Sequence, residues 1–190
     1  MSKNIPKNKK TSERQYLLSE EVQKMCDATD QNCRYALRDK TLITMMFRHA
    51  LRVGEVSTLK WSQISLKDKV LHVKRLKNGK DSAHPLQEDV IELLKQLKKE
   101  TYTVSKYVFT SERKQQISVR HIRSIVKKLG EKAHIEVHTH PHMLRHGTGY
   151  HLVNTGQDIR SIQVYMGHAS ISNTVRYTYL DTKRFEGFWK

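Results

Sequence analysis

Residues 141–156 have the sequence PHMLRHGTGYHLVNTG, and this stretch has clear signals for a helix at both of its ends. Pro141 suits the first helical position, where the N–H that proline lacks would have no partner in any case. Gly156 suits the position just after the last turn, where glycine commonly ends a helix. The stretch therefore predicts a helix over about residues 141–155.

One face of this helix carries His142, Arg145 and His146, because side chains three and four positions apart are neighbours on a helix. Together with His138 and His140, the first of them also resembles a set of metal ligands. No carboxylate or thiolate lies nearby in the sequence, however, and Arg145 would repel a cation. We therefore expect no metal at this face and consider it as a site for an anion.

The rest of the chain is predicted to be mostly helical, because apolar residues recur at helical spacing in most of its segments. Ser19 and the acids after it predict the start of a first helix. The predicted later helices cover Arg34–Leu51, a turn at Val53–Leu59, Gln87–Lys99, Ser118–Leu129, residues 158–166, and a segment from Ser170 to about Leu180.

Residues 61–86 have a different pattern, in which apolar and polar side chains alternate around Asn78-Gly79. Alternation predicts strands, and Asn-Gly is a strong signal for a hairpin turn. The fold class predicted is thus α+β and mostly α-helical, with a small antiparallel hairpin or three-stranded sheet.

The composition indicates a basic globular domain with a polyanionic partner. The chain has 190 residues, with 35 Lys and Arg against 19 Asp and Glu, for a formal net charge of +16. We predict a basic tail at residues 1–14 and one domain at residues 15–190, and nucleic acid is the expected partner. Cys26 and Cys33 are too few for a disulfide framework, and no apolar run is long enough to span a membrane. We therefore expect a cytoplasmic protein.

Several short motifs occur in an order that resembles one family. Ala-Leu-Arg-Val-Gly-Glu-Val at 50–56 and Pro-His-Met-Leu-Arg-His at 141–146 are similar to the two arginine boxes of the tyrosine recombinases, the phage-integrase family. Met-Gly-His at 166–168 and Arg-Tyr-Thr at 176–178 are similar to the terminal histidine and nucleophile boxes. The resemblance covers about residues 15–185, and the joint set is far more specific than any one motif.

The short recombinases that invert fimbrial promoters are the most similar branch. They share Arg-Leu-Lys at 75–77 and His-Pro-Leu at 84–86. Those recombinases consist essentially of the catalytic domain, so the resemblance implies the same for this chain, and a catalytic fragment of a longer protein is the alternative. The resemblance implies double-stranded DNA as substrate, assembly of several protomers, expected to be a tetramer, on that DNA, and DNA-bending accessory proteins. It also implies a bacterial, phage or mobile-element origin and no cofactor.

Cleavage of a phosphodiester requires a nucleophile, stabilisation of negative charge, and a proton for the departing 5′ oxygen. Arginine offers a permanently charged fork of donors to the nonbridging oxygens. The predicted catalytic residues are Arg52 and Arg145 on the phosphate, His168 as a further donor, Lys77 as the acid, His142 as the base and Tyr177 as the nucleophile, with Glu55 in support.

Two of these assignments have rivals nearby in the chain. Lys74 and Lys80 flank the hairpin turn, and Lys77 is preferred because the lysine of the family occupies the start of that turn. Tyr179 is the alternative to Tyr177, but two residues along a helix turn a side chain by about 200°.

Basic residues outside this set are predicted to contact DNA phosphates. They are Lys74, Arg75, Lys80, Arg120, Arg123, Lys127 and Lys128. The aromatic residues of the end segment, Phe185, Phe188 and Trp189, are expected either to pack in the core or to dock on a neighbouring protomer.

A site-specific recombinase is the leading interpretation of the sequence. A DNA topoisomerase or nicking enzyme with the same tyrosine chemistry, and an inactive DNA-binding regulator, are the alternatives. Exchange between a defined pair of sites would distinguish the recombinase from an enzyme that only relaxes DNA.

Overall fold

The structure, a computed structural model, describes residues 14–29, 34–76, 79–101 and 105–180. For residues 179 and 180 it describes only the backbone. The described part contains eight α-helices and three strands. The helices are α1 (Ser19–Asp27), α2 (Ala36–Arg48), α3 (Val53–Ser57), α4 (Glu88–Thr101), α5 (Val119–Lys132), α6 (Pro141–Asn154), α7 (Ile159–Met166) and α8 (Ser172–Val175). Short 3-10 helices occupy Trp61–Gln63 and Arg176–Leu180.

The three strands form one antiparallel sheet in the order β1-β2-β3. Their bounds are β1 (Ile64–Ser65), β2 (Val70–Val73) and β3 (Ser82–Pro85). In the register of the hairpin, Val70 faces Pro85 and Val73 faces Ser82. The predicted fold class, mostly helical α+β with a small antiparallel sheet, is confirmed.

The second helix is shorter than predicted and ends at Arg48 instead of Leu51. Ala50 has a left-handed backbone with φ of 50°, which no right-handed helix can contain. Ala50 and Leu51 are nevertheless buried, so the apolar spacing continues after the helix has ended. The spacing of apolar residues therefore predicts an end of this helix that is three residues too late in the chain.

The last predicted helix also differs, because it changes into a 3-10 helix at Arg176. A 3-10 helix has about three residues per turn, so it rotates Tyr177 differently from a continued α-helix. Tyr177 joins a small apolar cluster with Ala50, Val153 and Met166. The main core is a separate and larger cluster.

Helix α6 is the central element and packs closely on the segment that precedes α1. The backbone N–H of Leu17 donates to the carbonyl of Met143 over 3.2 Å, and Thr148 donates its hydroxyl to the carbonyl of Phe47. A Cβ atom at Gly147 would overlap the carbonyl oxygen of Leu17. Glycine at this position allows the backbone of α6 to approach the main core.

Among the described residues, none of the helices is long and apolar enough to cross a membrane. The predicted tail is outside the described residues except for Arg14, and Cys33 and the end segment with Phe185, Phe188 and Trp189 are outside them as well.

We expect Gly147→Ala to lower the free energy of unfolding by about 3 kcal/mol, because the added methyl meets backbone that cannot move aside easily. Gly156→Ala is the control, since no atom lies within 4 Å of its Cβ position. Its positive φ should cost only about 1 kcal/mol. Equal losses in urea denaturation of the two variants would contradict the proposed close approach.

Candidate active site

A buried carboxylate, that of Glu55, organises the first part of the site. One carboxylate oxygen accepts the Arg52 backbone N–H at 2.8 Å, and the other accepts its guanidinium at 2.8 Å. A second guanidinium, from Arg75, donates to Glu55 at 3.0 Å. Burial alone would raise the pKa of Glu55, but these hydrogen bonds and positive charges lower it below its ordinary value. Glu55 is therefore an anion that holds two arginines.

The position of Arg75 differs from its predicted place at the DNA surface. Its side chain is fully buried, at 0% exposure, and donates to Glu55 and to the carbonyls of Ala50 and Tyr165. It cannot reach a DNA phosphate, so the prediction was wrong. The alternation of β2 contained the signal, because Leu71 and Val73 are buried and Arg75 continues the same face.

Two glycines make room for the side chain of Arg75. A Cβ atom at Gly79 or at Gly167 would lie 2.7 Å from an atom of Arg75. The backbone N–H of Arg75 also donates to Asp81 over 2.8 Å, which fixes the two ends of the hairpin turn. Lys77 lies between Arg75 and Asp81 in the sequence but outside the described residues, and its predicted role stays a prediction.

Arg145 of α6 is joined to Arg75 through a shared acceptor. Both guanidiniums donate to the carbonyl oxygen of Ala50, whose left-handed backbone directs that oxygen into the site. Arg145 also donates to the carbonyl of Met166 at 2.6 Å. Burial, and then the charges of Arg52 and Arg75, lower its pKa to about 9. Arg145 is thus a buried cation with no carboxylate among its described hydrogen-bond acceptors.

His168 follows Gly167, the residue that caps the end of α7 in a left-handed conformation with φ of 63°. Its Nδ1 shares a 2.8 Å hydrogen bond with the hydroxyl of Thr174, a partner that the sequence analysis did not identify. Burial and the charges of the arginines, Arg145 first among them, lower the pKa of His168 to about 3. The imidazole is therefore neutral at neutral pH.

Tyr177 has its ring against α6 and is only 3% exposed. A Cβ atom at Gly149 would lie 2.6–2.7 Å from atoms of this ring, so glycine is required for the contact. The ring is stacked at 6.3 Å from that of His168. Burial raises the pKa of Tyr177 above its usual value, although nearby arginines, Arg145 first, oppose the shift. The phenol is therefore protonated at neutral pH.

The hydroxyl of Tyr177 is 3.1 Å from Nδ1 of His146. The sequence analysis placed His146 on the same face of the helix as Arg145 but gave it no role. His142, predicted as the base, is exposed, and its ring centroid lies 6.2 Å from that of His146. Which imidazole meets a tyrosine from another segment cannot be inferred from spacing within α6.

The other predicted DNA contacts lie on the surface. All of their side chains are exposed, and the residues are Lys74, Lys80, Arg120, Arg123, Lys127 and Lys128. Lys127 is 3.6 Å from Glu131, one turn further along α5. The role of these residues in DNA binding stays a prediction.

The described residues contain no group of three or more His, Cys, Asp or Glu side chains placed to hold a metal ion. The hydrogen-bonded cluster of the site contains the three guanidiniums of Arg52, Arg75 and Arg145. Against them, the described hydrogen bonds of the cluster include one carboxylate, that of Glu55. An anion is therefore the ligand that this arrangement would stabilise.

Comparison with known proteins agrees with the order of motifs and with the fold. A family model described as the phage integrase family matches residues 15–184. FimE of Escherichia coli strain K12, a type 1 fimbriae regulatory protein, is 36% identical over 184 residues, which are 94% of this chain and 92% of FimE.

Two solved structures share the fold. The XerA recombinase has a TM-score of 0.79 and 28% identity, over 90% of this chain and 62% of XerA. The XerH site-specific recombinase, solved with its palindromic difH substrate as a post-cleavage complex, has a TM-score of 0.77 and 24% identity, over 90% of this chain and 51% of XerH. From the family match and the similarity to FimE, we conclude that the chain belongs to the phage integrase family, the family of the tyrosine recombinases.

Proposed function

We propose that this chain is a site-specific recombinase that cuts and rejoins double-stranded DNA through a 3′-phosphotyrosyl intermediate. The observation that carries the proposal is a buried tyrosine hydroxyl beside a group of arginines whose charge exceeds that of their carboxylate partner. A phosphodiester supplies the missing negative charge, and Tyr177 supplies the nucleophile.

In this proposal the nonbridging oxygens of the scissile phosphate are bound by Arg52 and Arg145. The Arg52 side chain is 23% exposed, so it can contact DNA at the entrance of the site, whereas Arg145 is buried behind it. The negative charge on these oxygens grows in the pentavalent transition state, and preoriented guanidiniums stabilise it without reorganisation.

His168 is proposed to donate to the same phosphate through Nε2. The Thr174 hydroxyl can donate to Nδ1, which leaves the ring proton on Nε2. A neutral imidazole in this tautomer is a hydrogen-bond donor that adds no further positive charge beside Arg145.

The departing 5′ oxygen requires a proton, and Lys77 is proposed to provide it. Arg75 contributes indirectly, because it fixes the ends of the turn that contains Lys77 and also holds Glu55. We therefore propose that Arg75 and Glu55 are positioning residues for this turn and for Arg52.

The nucleophile is proposed to act within its own protomer, since Tyr177 packs on Gly149 of the same chain and near its own Arg145. Assembly of several protomers, expected to be four, on DNA is part of the proposal, as is help from DNA-bending proteins. The proposed outcome is inversion or integration of a DNA segment, and the similarity to a fimbriae regulatory protein favours inversion. We further propose that the protein works in the cytoplasm.

The covalent intermediate can be tested with a nicked suicide substrate from which the 5′ fragment diffuses away. We expect a protein–DNA adduct at the 3′ end that survives denaturing electrophoresis and forms in the presence of a chelator. Tyr177→Phe should abolish the adduct while retaining DNA affinity, because it removes only the attacking oxygen. An adduct that persists in Tyr177→Phe and is lost in Tyr179→Phe would show that Tyr179, and not Tyr177, is the nucleophile. Loss of the adduct on chelation would favour a metal mechanism.

Removal of the guanidinium in Arg75→Met should lower the free energy of unfolding by about 3 kcal/mol, because it leaves part of the Glu55 charge buried without its partner. Lys74→Met is the matched control on the exposed face of the same segment and should lower DNA affinity alone. If the Arg75→Met protein were as stable as the unsubstituted protein but bound DNA weakly, the result would show that Arg75 contacts DNA directly.

Binding to DNA without a cognate site should weaken steeply as salt is raised, since each neutralised phosphate releases counterions. The double variant Arg123→Gln/Lys128→Gln should reduce the slope of log K against log salt by about 2. Arg48→Gln is the control, because Arg48 is an exposed cation that already pairs with Asp89 at 2.8 Å. An unchanged slope in the double variant would contradict DNA contacts by α5.

A further inference from the structure

We propose that the stacked side chains of His84 and Tyr165 are positioning residues for the general acid of strand cleavage, because they hold the hairpin loop whose sequence includes Lys77 against helix α7. This inference rests on the proposed function, in which Lys77 gives a proton to the departing 5′ oxygen. It assigns a role to two side chains outside the predicted catalytic set.

The loop between β2 and β3 is long for a hairpin. Strand β2 ends at Val73 and β3 begins at Ser82, so residues 74–81 connect the two strands. Most hairpin loops have about two to five residues. A longer loop has conformational freedom that strand pairing alone does not remove. A side chain of this loop can act on one oxygen atom only if contacts on both sides fix the loop.

The part of the loop that precedes Lys77 is held by Arg75. The guanidinium of Arg75 donates to the backbone carbonyl of Tyr165 in α7 and to the carboxylate of Glu55. The backbone N–H of Leu76 also donates to Glu55, over 3.3 Å. Tyr165 therefore takes part in the contact that anchors the first side of the loop.

The strand that follows the loop is held by His84. Of the four residues of β3, His84 is the one that is buried, with 0% exposure. Its imidazole stacks on the ring of Tyr165, with the centroids 3.8 Å apart and the planes at 24° to each other. The hydroxyl of Ser82 shares a 2.9 Å hydrogen bond with Nε2 of His84, which restricts rotation of the imidazole. The two rings therefore anchor the second side of the loop to the same residue of α7 that binds Arg75.

Tyr165 is fixed in turn by the end of α2. Its hydroxyl donates to the carbonyl oxygen of Arg48 at 2.7 Å and lies 3.5 Å from Nδ1 of His49. The carbonyl of Met166, the next residue of α7, accepts from Arg145 at 2.6 Å. The stack thus positions the hairpin loop relative to the helix end that also holds Arg145.

Both rings of the stack are neutral at neutral pH. Burial, and then the neighbouring His49 and Arg75, lower the pKa of His84 to about 3. Burial raises the pKa of Tyr165 to about 12, although Arg75 and Arg48 oppose this shift. The contact therefore joins the hairpin to α7 without a further charge beside the guanidiniums.

The step that depends on this position is proton transfer to the leaving group. When the bond from phosphorus to the 5′ oxygen breaks, its electron pair stays on that oxygen, and the ammonium of Lys77 gives it a proton. A sulfur atom in place of the 5′ oxygen departs as a thiolate and needs no proton, because a thiol is far more acidic than an alcohol. The sulfur substrate therefore separates proton transfer from the attack of Tyr177 on phosphorus.

The test measures adduct formation on two suicide substrates, one with the natural 5′ oxygen at the scissile phosphate and one with sulfur in its place. Tyr165→Leu and His84→Leu each remove one ring of the stack. We expect each to slow cleavage of the oxygen substrate by about 10²-fold, the cost of a displacement of about 1 Å. Both should cleave the sulfur substrate nearly as fast as the unsubstituted protein does. Lys77→Ala should show the same loss and recovery.

Tyr165→Phe and His84→Phe are the matched controls, because each keeps an aromatic ring in the stack. We expect both to cleave the oxygen substrate within about 10-fold of the unsubstituted rate, since each loses one hydrogen bond. Val90→Ala is the control for a general loss of stability, because Val90 is fully buried in the main core. It should lower the melting temperature and leave the ratio of the two cleavage rates unchanged.

Ser82→Ala keeps the proposal testable even if the two Leu variants do not fold. Ser82 is only partly buried, and its substitution removes the hydroxyl that restricts the His84 ring. We expect a loss of about 2- to 10-fold on the oxygen substrate, the value of one hydrogen bond, and none on the sulfur substrate. An unchanged rate on the oxygen substrate, or the same loss on both substrates, would overturn the proposal.

Full activity of the Leu variants on the oxygen substrate, or equal slowing on both substrates, would also overturn it, because a general loss of structure slows both reactions alike. A loss in Lys77→Ala that sulfur does not restore would overturn the assignment of Lys77 together with this proposal. Failure of the unsubstituted protein to form an adduct on either substrate would instead overturn the proposed function.

Discussion

The site depends on one buried ion pair, between Glu55 and Arg75. This carboxylate lies where the start of α3, the hairpin and Arg52 meet, and it is the only described carboxylate that these arginines share. A buried anion is stable only when hydrogen bonds and opposite charges compensate its lost hydration. The pairing therefore fixes the two segments that carry Arg52 and the hairpin turn relative to each other.

The carbonyl of Ala50 extends this arrangement to the third arginine. Its left-handed backbone, which costs a residue with a Cβ atom about 1 kcal/mol, allows one oxygen to accept from Arg75 and Arg145 together. Strain of this kind persists only where the surroundings enforce it. Here it joins the N-terminal and C-terminal halves of the site at one acceptor.

Burial and the resulting excess of positive charge together keep two histidines of the site neutral. His146 and His168 are neutral because burial and nearby guanidiniums make a further positive charge unfavourable. Neutral imidazoles can both donate and accept, so they suit proton transfer and phosphate binding without adding repulsion. An anion that binds in the site would balance this excess of positive charge.

The sequence by itself determined most of the helices, the hairpin and the family, because these depend on local spacing and on motif order. Pro141 at a first turn and Gly156 after a last turn are signals within a few residues of the structures that they predict. Only the tertiary structure decided that Arg75 is a buried partner of Glu55 and that His146 meets Tyr177. These contacts join segments 20 and 31 residues apart. No periodicity within one segment encodes which side chain of another segment will lie against it, since the packing of the whole core sets that position.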